Sequence, residues 1–162
     1  MFSGAAILRG EDMSNPYLWS VILALHLLCM AYWIGGGLYA AIVSRSTVAL
    51  LEPAQRQNIQ IQLIARYFRT LLHIVPTALV TGWLLVIHMG GFGVMSLPIN
   101  IMQGLALIMA LLFVSSYFGP FQALRRAIRP QPALFNKVRQ RVILMVALGV
   151  LTVFFAAMGG GV

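Results

Sequence analysis

Three stretches of the 162-residue chain contain no charged side chain: residues 17–44, 70–124 and 142–162. About 20 apolar residues suffice for a helix to cross the hydrocarbon core of a bilayer, and the middle stretch can hold two such helices with a turn between them. Charged residues make up 9 % of the chain, whereas an ordinary soluble domain carries about 25 %. The sequence therefore predicts an all-α protein, a four-helix transmembrane bundle, and excludes a water-soluble fold.

The bundle is predicted to be one domain over residues 17–162, preceded by an N-terminal segment of residues 1–16. The predicted transmembrane helices cover residues 17–43, 70–89, 99–118 and 142–158. The N-terminal segment lacks the basic region, short apolar core and small-residue cleavage site of a signal peptide. The initiator is either Met1 or Met13. Met13 is a candidate because it lies directly before the predicted first helix.

Glycine and proline mark places where the predicted helices approach each other or bend. Gly35-Gly36-Gly37 would weaken the first helix, so we expect another element to pack closely against this backbone. Pro76 is predicted to kink the second helix, and Gly119-Pro120 to end or bend the third. Small residues that would serve helix packing in the other three helices are Gly82, Gly104 and Gly149.

The basic residues lie almost entirely in two of the predicted connections. The first connection and its flank hold Arg45, Arg56, Arg66 and Arg69, and residues 122–141 hold six more. Pro53 and four nearby glutamines also predict a short surface helix in the first connection. The positive-inside rule places both basic connections in the cytoplasm and both termini on the outer, periplasmic side of a bacterial inner membrane. The net charge of +8 is therefore interpreted as a topology signal, with the lipid bilayer and not nucleic acid as the partner.

Acidic residues and cysteine exclude several kinds of site. The only acids, Glu11, Asp12 and Glu52, lie outside the predicted helices, which argues against a transporter built on buried carboxylates and against two-carboxylate catalysis. The single cysteine, Cys29, excludes a disulfide framework and a cysteine-only metal site.

All three histidines lie in or at the edge of predicted helices, where an ionisable side chain is a functional candidate. His26 shares one face of the first helix with Met30, Trp33 and Gly37, at spacings of four, seven and eleven residues. An imidazole, a thioether, a large aromatic ring and a glycine notch on one face would suit a haem macrocycle, with His26 as axial ligand. Alternatively, His26 is hydrogen-bonded to a neighbouring helix, and Met30 and Trp33 are ordinary packing.

The second helix carries a polar face of His73, Thr77, Thr81 and His88. A rise of 1.5 Å per residue puts the two histidines about 22 Å apart, on opposite sides of the membrane. His26 and His88 are closer in depth, so this pair could hold one haem near the outer face, whereas His73 would need another partner. Alternatively, His88 is an ordinary interfacial residue and His73 reaches towards the cytoplasm.

Copper is a second candidate, because imidazole and thioether ligands suit Cu(I). His88, Met89, Met95 and Met102 surround the predicted outer turn. Asn100 and Gln103 in the third helix are candidates either for hydrogen bonds between helices or for ligand contacts.

Several segments, in this order, resemble the copper resistance protein D-like membrane proteins, and together they span residues 17–158. They are the segment from His26 through Trp33 to Gly35-Gly36-Gly37, then Arg66-Tyr-Phe-Arg69, Tyr117-Phe-Gly-Pro120, Leu124-Arg-Arg126 and Leu148-Gly-Val-Leu-Thr152. The first helix is also distantly similar to the bacterial membrane protoporphyrinogen oxidase family, which has a histidine at the position of His26.

The resemblance implies a bacterial inner-membrane four-helix protein with haem b or copper as cofactor. Small members of the family carry a histidine early in the third helix, where this chain has Asn100. The resemblance therefore leaves His88 or His73 as the second haem ligand, or no haem.

The expected function is that of a b-type haem protein in electron transfer, between a membrane quinol and an outer acceptor, or as a small subunit of a respiratory complex. His26 and His88 would be axial ligands, and Trp33 and Gly37 the wall of the macrocycle. Copper transport or tolerance is one alternative. A structural subunit without cofactor, bound to other membrane subunits or to its own copies, is the other.

Overall fold

The computed structural model describes residues 15–127 and 132–159. These residues form helices without any strand. The helices are α1 (Pro16–Leu38), α2 (Ser44–Thr47), α3 (Pro53–His88), α4 (Leu97–Ser116), α5 (Gln122–Arg126) and α6 (Pro132–Gly159), with π-helical turns at Tyr39–Val43 and Tyr117–Phe121. Most of the predicted N-terminal segment and the last three residues lie outside the described ranges.

Four helical segments are long and apolar enough to cross a membrane, which confirms the predicted number of transmembrane helices. They are Pro16–Thr47, Gln55–His88, Leu97–Arg126 and Pro132–Gly159. The first begins with Pro16 at its first position, and the Asn15 side chain accepts a hydrogen bond from the Tyr17 amide at 3.0 Å. Both residue types favour a helix start, because proline lacks the amide hydrogen and asparagine caps a free one.

Two helices begin much earlier than predicted. The separate surface helix expected near Pro53 is the first part of α3, which continues to His88, and α6 starts at Pro132 instead of residue 142. Hydropathy marks only the apolar part of each helix. Glutamine and arginine are good helix formers, so the polar residues before each apolar part extend the same helix beyond it.

The predicted bend at Gly119-Pro120 is confirmed. Gly119 has non-helical backbone angles, φ −95° and ψ −107°, inside the π-helical turn that joins α4 to α5. Pro76 lies inside α3, which continues through it. The turn between α3 and α4 contains Gly90 and Gly91 with φ of +106° and +88°. Glycine adopts positive φ readily because it has no Cβ atom, whereas other residues disfavour it.

The helices pack as α3 on α1, α1 on α6, and α6 on α4, whereas α3 and α4 hardly approach each other. We call the end of the bundle with Arg66 and Arg125 the basic end, and the end with the turn after His88 the turn end. Towards the basic end, aromatic side chains bridge the gap between α3 and α4. The Phe68 ring lies 4.9 Å from the Phe121 ring centroid and 5.8 Å from that of Phe113, both edge to face. This favourable geometry closes the basic half of the bundle.

Candidate functional site

A cavity of about 250 Å³ lies between the helices towards the turn end. It is lined by residues of all four long helices: Leu23, His26, Leu27, Met30 and Trp33 of α1, Ala78, Leu79, Gly82, Leu85 and Val86 of α3 with the adjoining Met89, Ile99, Met102, Gln103 and Ala106 of α4, and Thr152, Val153 and Ala156 of α6. Leu23 and Leu27 are 46 % and 57 % exposed on the outside of the bundle. The cavity wall therefore reaches the surface that faces lipid.

The His26 imidazole is held in this cavity by α3. Its Nδ1 atom lies 3.0 Å from the Ala78 carbonyl oxygen and 3.1 Å from Thr81 Oγ1. A carbonyl oxygen can only accept, so Nδ1 carries the hydrogen and, in the neutral ring, Nε2 carries the lone pair. Metal-bound histidines commonly donate from the other ring nitrogen to a carbonyl in this way. The arrangement leaves Nε2 available as a ligand or proton acceptor.

Gly82 makes this position of His26 possible. A Cβ atom built on Gly82 would lie 2.9 Å from His26 Cε1 and 3.4 Å from Nδ1. A side chain at position 82 would therefore push the ring away from its hydrogen-bond partners. Of the three glycines predicted to serve helix packing, Gly82 and Gly149 contact another helix closely, whereas Gly104 has no neighbour within 4 Å of a built Cβ.

Two of the lining residues, Trp33 and Gln103, each have a buried side-chain nitrogen without a hydrogen-bond partner among the described residues, Nε1 of Trp33 and Nε2 of Gln103. The Trp33 side chain is only 1 % exposed. Its backbone carbonyl accepts a 2.7 Å hydrogen bond from the Tyr67 hydroxyl, which ties α1 to α3 at this level. Buried polar groups are nearly always paired, but Arg56, Gln57 and Arg139, outside the cavity lining, also carry such nitrogens. Unpaired nitrogens therefore do not by themselves mark the cavity as a binding site.

The predicted haem residues do not all meet at this cavity. His26, Met30 and Trp33 line it, as expected from their shared helical face. His88 lies outside the lining and stacks on Trp19, with ring centroids 3.7 Å apart and an interplanar angle of 13°. His73 is exposed on α3.

Gly37, the remaining predicted wall residue, also lies outside the cavity lining. A Cβ atom there would lie 2.8 Å from both the Tyr67 hydroxyl and a Val146 methyl group. The expected close packing is thus confirmed at Gly36 and Gly37, where Tyr67 is the neighbour, whereas a Cβ on Gly35 would meet nothing within 4 Å. This notch is filled by Tyr67 and is not open to a macrocycle.

The predicted copper residues are also divided. Met89 and Met102 line the cavity, where they join Met30 and His26, whereas His88 and Met95 do not. Within the described ranges there is no group of three histidine, cysteine, aspartate or glutamate side chains that could hold a metal ion. Any metal bound in the cavity would therefore depend on thioether ligands.

Sequence reasoning missed the residue that positions His26. Thr81 was assigned to one polar face with the two histidines of α3, but its hydroxyl lies beside the His26 ring instead. The signal was present in the depths of the two residues. His26 is ten residues after the start of α1, and Thr81 is seven before the end of α3, so an antiparallel pair of helices brings them to similar levels.

No protein-family model, curated protein or solved structure matches the chain. The resemblance to the copper resistance protein D-like proteins stays a prediction, and the functional assignment rests on the geometry of the cavity.

Proposed function

We propose that this multi-pass membrane protein transfers electrons through a redox-active metal group held by His26 at a lipid-accessible site, with a membrane quinol as the electron donor in a bacterial inner membrane. One observation supports this most directly: the imidazole is fixed through Nδ1 and leaves Nε2 in a cavity that opens to lipid. An intramembrane histidine that packing alone required would not need such a cavity. Ionisable groups at this depth are costly and commonly mark a redox or proton pathway.

The proposed orientation places the cavity in the outer half of the membrane. Arg66 and Arg69 of α3 and Arg125 and Arg126 of α5 are exposed at the basic end, and the positive-inside rule assigns that end to the cytoplasm. Both chain termini are then periplasmic. Electrons would leave the site towards an acceptor on the outer side.

Haem b fits His26 but not the cavity around it. Nε2 is a suitable axial ligand, and a methionine thioether across the cavity could be the second, in place of His88. Pockets that hold drug-sized ligands usually measure about 300–1,000 Å³. A four-ring macrocycle belongs to this size class, so its pocket should have a volume of at least about 300 Å³. The cavity of about 250 Å³ is too small for haem with the helices as they stand, so haem remains a prediction.

Copper is the second candidate, favoured by the three methionines that share the cavity with His26. Imidazole and thioether ligands together select soft Cu(I) over harder ions. His26 Nε2 and the sulfur atoms of Met30, Met89 and Met102 are the groups that would hold it. Bound Cu(I) would make this a copper-transfer or copper-tolerance protein.

The test compares detergent-purified wild type with His26→Ala and, as a matched control, His88→Ala, which lies outside the cavity. Visible spectra are recorded in the oxidised and dithionite-reduced states, and copper is quantified. Oxidation of an added quinol is followed in the reconstituted membrane with a water-soluble one-electron acceptor on the outer side, two equivalents of which are reduced for each quinol. We expect quinol oxidation that His26→Ala abolishes and His88→Ala leaves unchanged, with any Soret band or copper lost in the same variant.

Each other outcome contradicts part of the proposal. Equal activity in wild type and His26→Ala would exclude His26 as the redox site. A Soret band lost only in His88→Ala would move the cofactor to the second histidine. A colourless, copper-free protein without quinol oxidation would favour the structural subunit.

A further inference from the structure

We propose that Arg45 and Arg139 form a binding site for the phosphate group of an anionic phospholipid at the basic end of the bundle. Arg45 belongs to α2, which directly follows the π-helical turn at Tyr39–Val43, and Arg139 belongs to α6. That turn contacts α6, so α2 lies beside α6 at this level. The proposal is independent of His26 and of the cavity, which lies towards the turn end.

The two guanidinium groups lie near each other without an acidic partner. Arg139 is half-buried, and the charged side chain that acts on it is Arg45. Glu52 is the only acidic residue of the described ranges, and its side chain is exposed. Two positive charges repel each other, the more strongly where protein or lipid excludes water. Because this repulsion opposes folding of the protein alone, the arrangement favours an anion that neutralises both charges.

The position of the pair along the chain places it at the level of lipid phosphate groups. Arg45 directly follows the uncharged stretch of residues 17–44, and Arg139 stands three residues before the uncharged stretch that begins at Val142. A rise of 1.5 Å per residue puts Arg139 about 4.5 Å outside the apolar part of α6. Headgroups occupy roughly 5–8 Å on each side of the hydrocarbon core. Both guanidinium groups therefore stand where the phosphates of one leaflet lie.

Guanidinium chemistry selects phosphate among the groups of a membrane surface. Arginine presents several N–H donors in a planar fork that matches two oxygens of a phosphate, and hydrogen bonds between charged partners are stronger than neutral ones. Basic sites between transmembrane helices bind anionic headgroups on this principle. Phosphatidylglycerol carries a net negative charge on its phosphodiester, whereas the choline cation of phosphatidylcholine balances the same group. The site should therefore prefer phosphatidylglycerol.

The experiment measures lipid retained by the full-length protein in dodecyl maltoside, a non-ionic detergent without phosphate, by native mass spectrometry. The probes are dioleoyl-phosphatidylglycerol, dioleoyl-phosphatidylcholine and inorganic phosphate. The test variants are Arg45→Gln and Arg139→Gln. The matched controls Arg66→Gln and Arg126→Gln remove the same charge at exposed positions of the basic end. Loss of a hydrogen bond between charged groups should raise the Kd of phosphatidylglycerol about tenfold or more in each test variant, with little change in the controls.

Thermal unfolding in the same detergent separates lipid binding from a purely structural role. Without lipid, each test variant lacks one member of a repelling pair, so it should unfold at the temperature of the wild type or at a higher one. A ligand that binds only the folded state stabilises it. Added phosphatidylglycerol should therefore raise the unfolding temperature of the wild type and of both controls by more than that of Arg45→Gln or Arg139→Gln.

The proposal is overturned if the wild type retains phosphatidylglycerol no better than phosphatidylcholine. It also fails if the controls weaken retention as much as the test variants, since the basic end would then act only as a diffuse positive surface. Inorganic phosphate that displaces the lipid at a similar concentration would indicate a site for a free anion instead. Test variants less stable than the wild type without lipid would show that the two arginines serve packing within the protein. None of these measurements involves electron transfer, so the proposed function is tested separately.

Discussion

Replacing Gly82 by alanine is the smallest change that should disturb the site. The added Cβ would lie 2.9 Å from His26 Cε1, about 0.5 Å closer than the shortest ordinary van der Waals contact of 3.4 Å. Since α3 carries the new methyl group on its own backbone, the imidazole has to move. Movement away from α3 would lengthen the 3.0 Å contact from Nδ1 to the Ala78 oxygen to about 3.5 Å, beyond the normal range of an N–H···O bond.

The free-energy cost depends on how far the ring moves. A ring that moves clear of the methyl group loses the hydrogen bond, which costs about 1 kcal/mol, and a ring that moves only partly bears a crowded contact, which costs roughly 1–3 kcal/mol. Alanine also gains about 1 kcal/mol over glycine in a helix. Gly104→Ala in α4 has the same gain without any neighbour within 4 Å. The difference between the two variants cancels the helix term, and we expect Gly82→Ala to be less stable than Gly104→Ala by about 1–3 kcal/mol.

The assay is equilibrium unfolding in mixed micelles, with the fraction of SDS raised and helix content followed by circular dichroism. Gly82→Ala should unfold at an SDS fraction equal to or lower than that of the wild type. Gly104→Ala should unfold at an SDS fraction equal to or higher than that of the wild type, and always above that of Gly82→Ala. If the two variants unfold together, His26 does not lie against Gly82 as described, and the hydrogen bond to Ala78 loses its structural support.

Two further predictions concern the bundle as a whole. Tyr67→Phe removes a buried 2.7 Å hydrogen bond to the Trp33 carbonyl and should destabilise the protein by about 1–2 kcal/mol in the same unfolding assay. The control Tyr39→Phe, at an exposed position, should leave the stability unchanged. Equal stability of the two variants would show that the packing of α1 on α3 does not depend on this bond. For topology, Phe92→Cys in a variant without the native cysteine should react with a membrane-impermeant maleimide in intact cells, and Arg126→Cys only after lysis; the reverse pattern would invert the proposed orientation.

The number of transmembrane helices could be predicted because it depends only on where charged residues and prolines stand along the sequence. Stretches without charge longer than a bilayer crossing gave the number of helices, and the prolines at Pro16, Pro53 and Pro132 begin three of them. The close approach at Gly36 and Gly37 was also predictable, because glycine in the middle of a membrane helix is retained mainly where another element comes near. Its partner, Tyr67, was not, since a glycine pattern does not identify the side chain that fills it.

The site was predicted only in part, because helix depth is not enough to pair residues. An approximate count of depth pairs His88 with His26. In the structure, however, the ring of His88, the last residue of α3, stacks on Trp19 of α1. The spacing predicts one polar face on α3, but its residues have different surroundings: the Thr81 hydroxyl lies beside the His26 ring, and His73 is exposed. Periodicity assigns residues to a face, whereas the crossing of two helices decides which turns of the face are covered.

The location of the cavity follows from an asymmetry between the two halves of the bundle. Since α3 and α4 hardly touch, the space between them has to be filled by side chains or by something else. In the basic half, Phe68 meets Phe113 and Phe121 and fills it. In the other half the cavity takes the place of such rings, and its lining combines the small residues Ala78, Gly82 and Ala106 with larger apolar ones. The ligand of the proposed function would occupy this space, beside the imidazole that α3 holds through Nδ1.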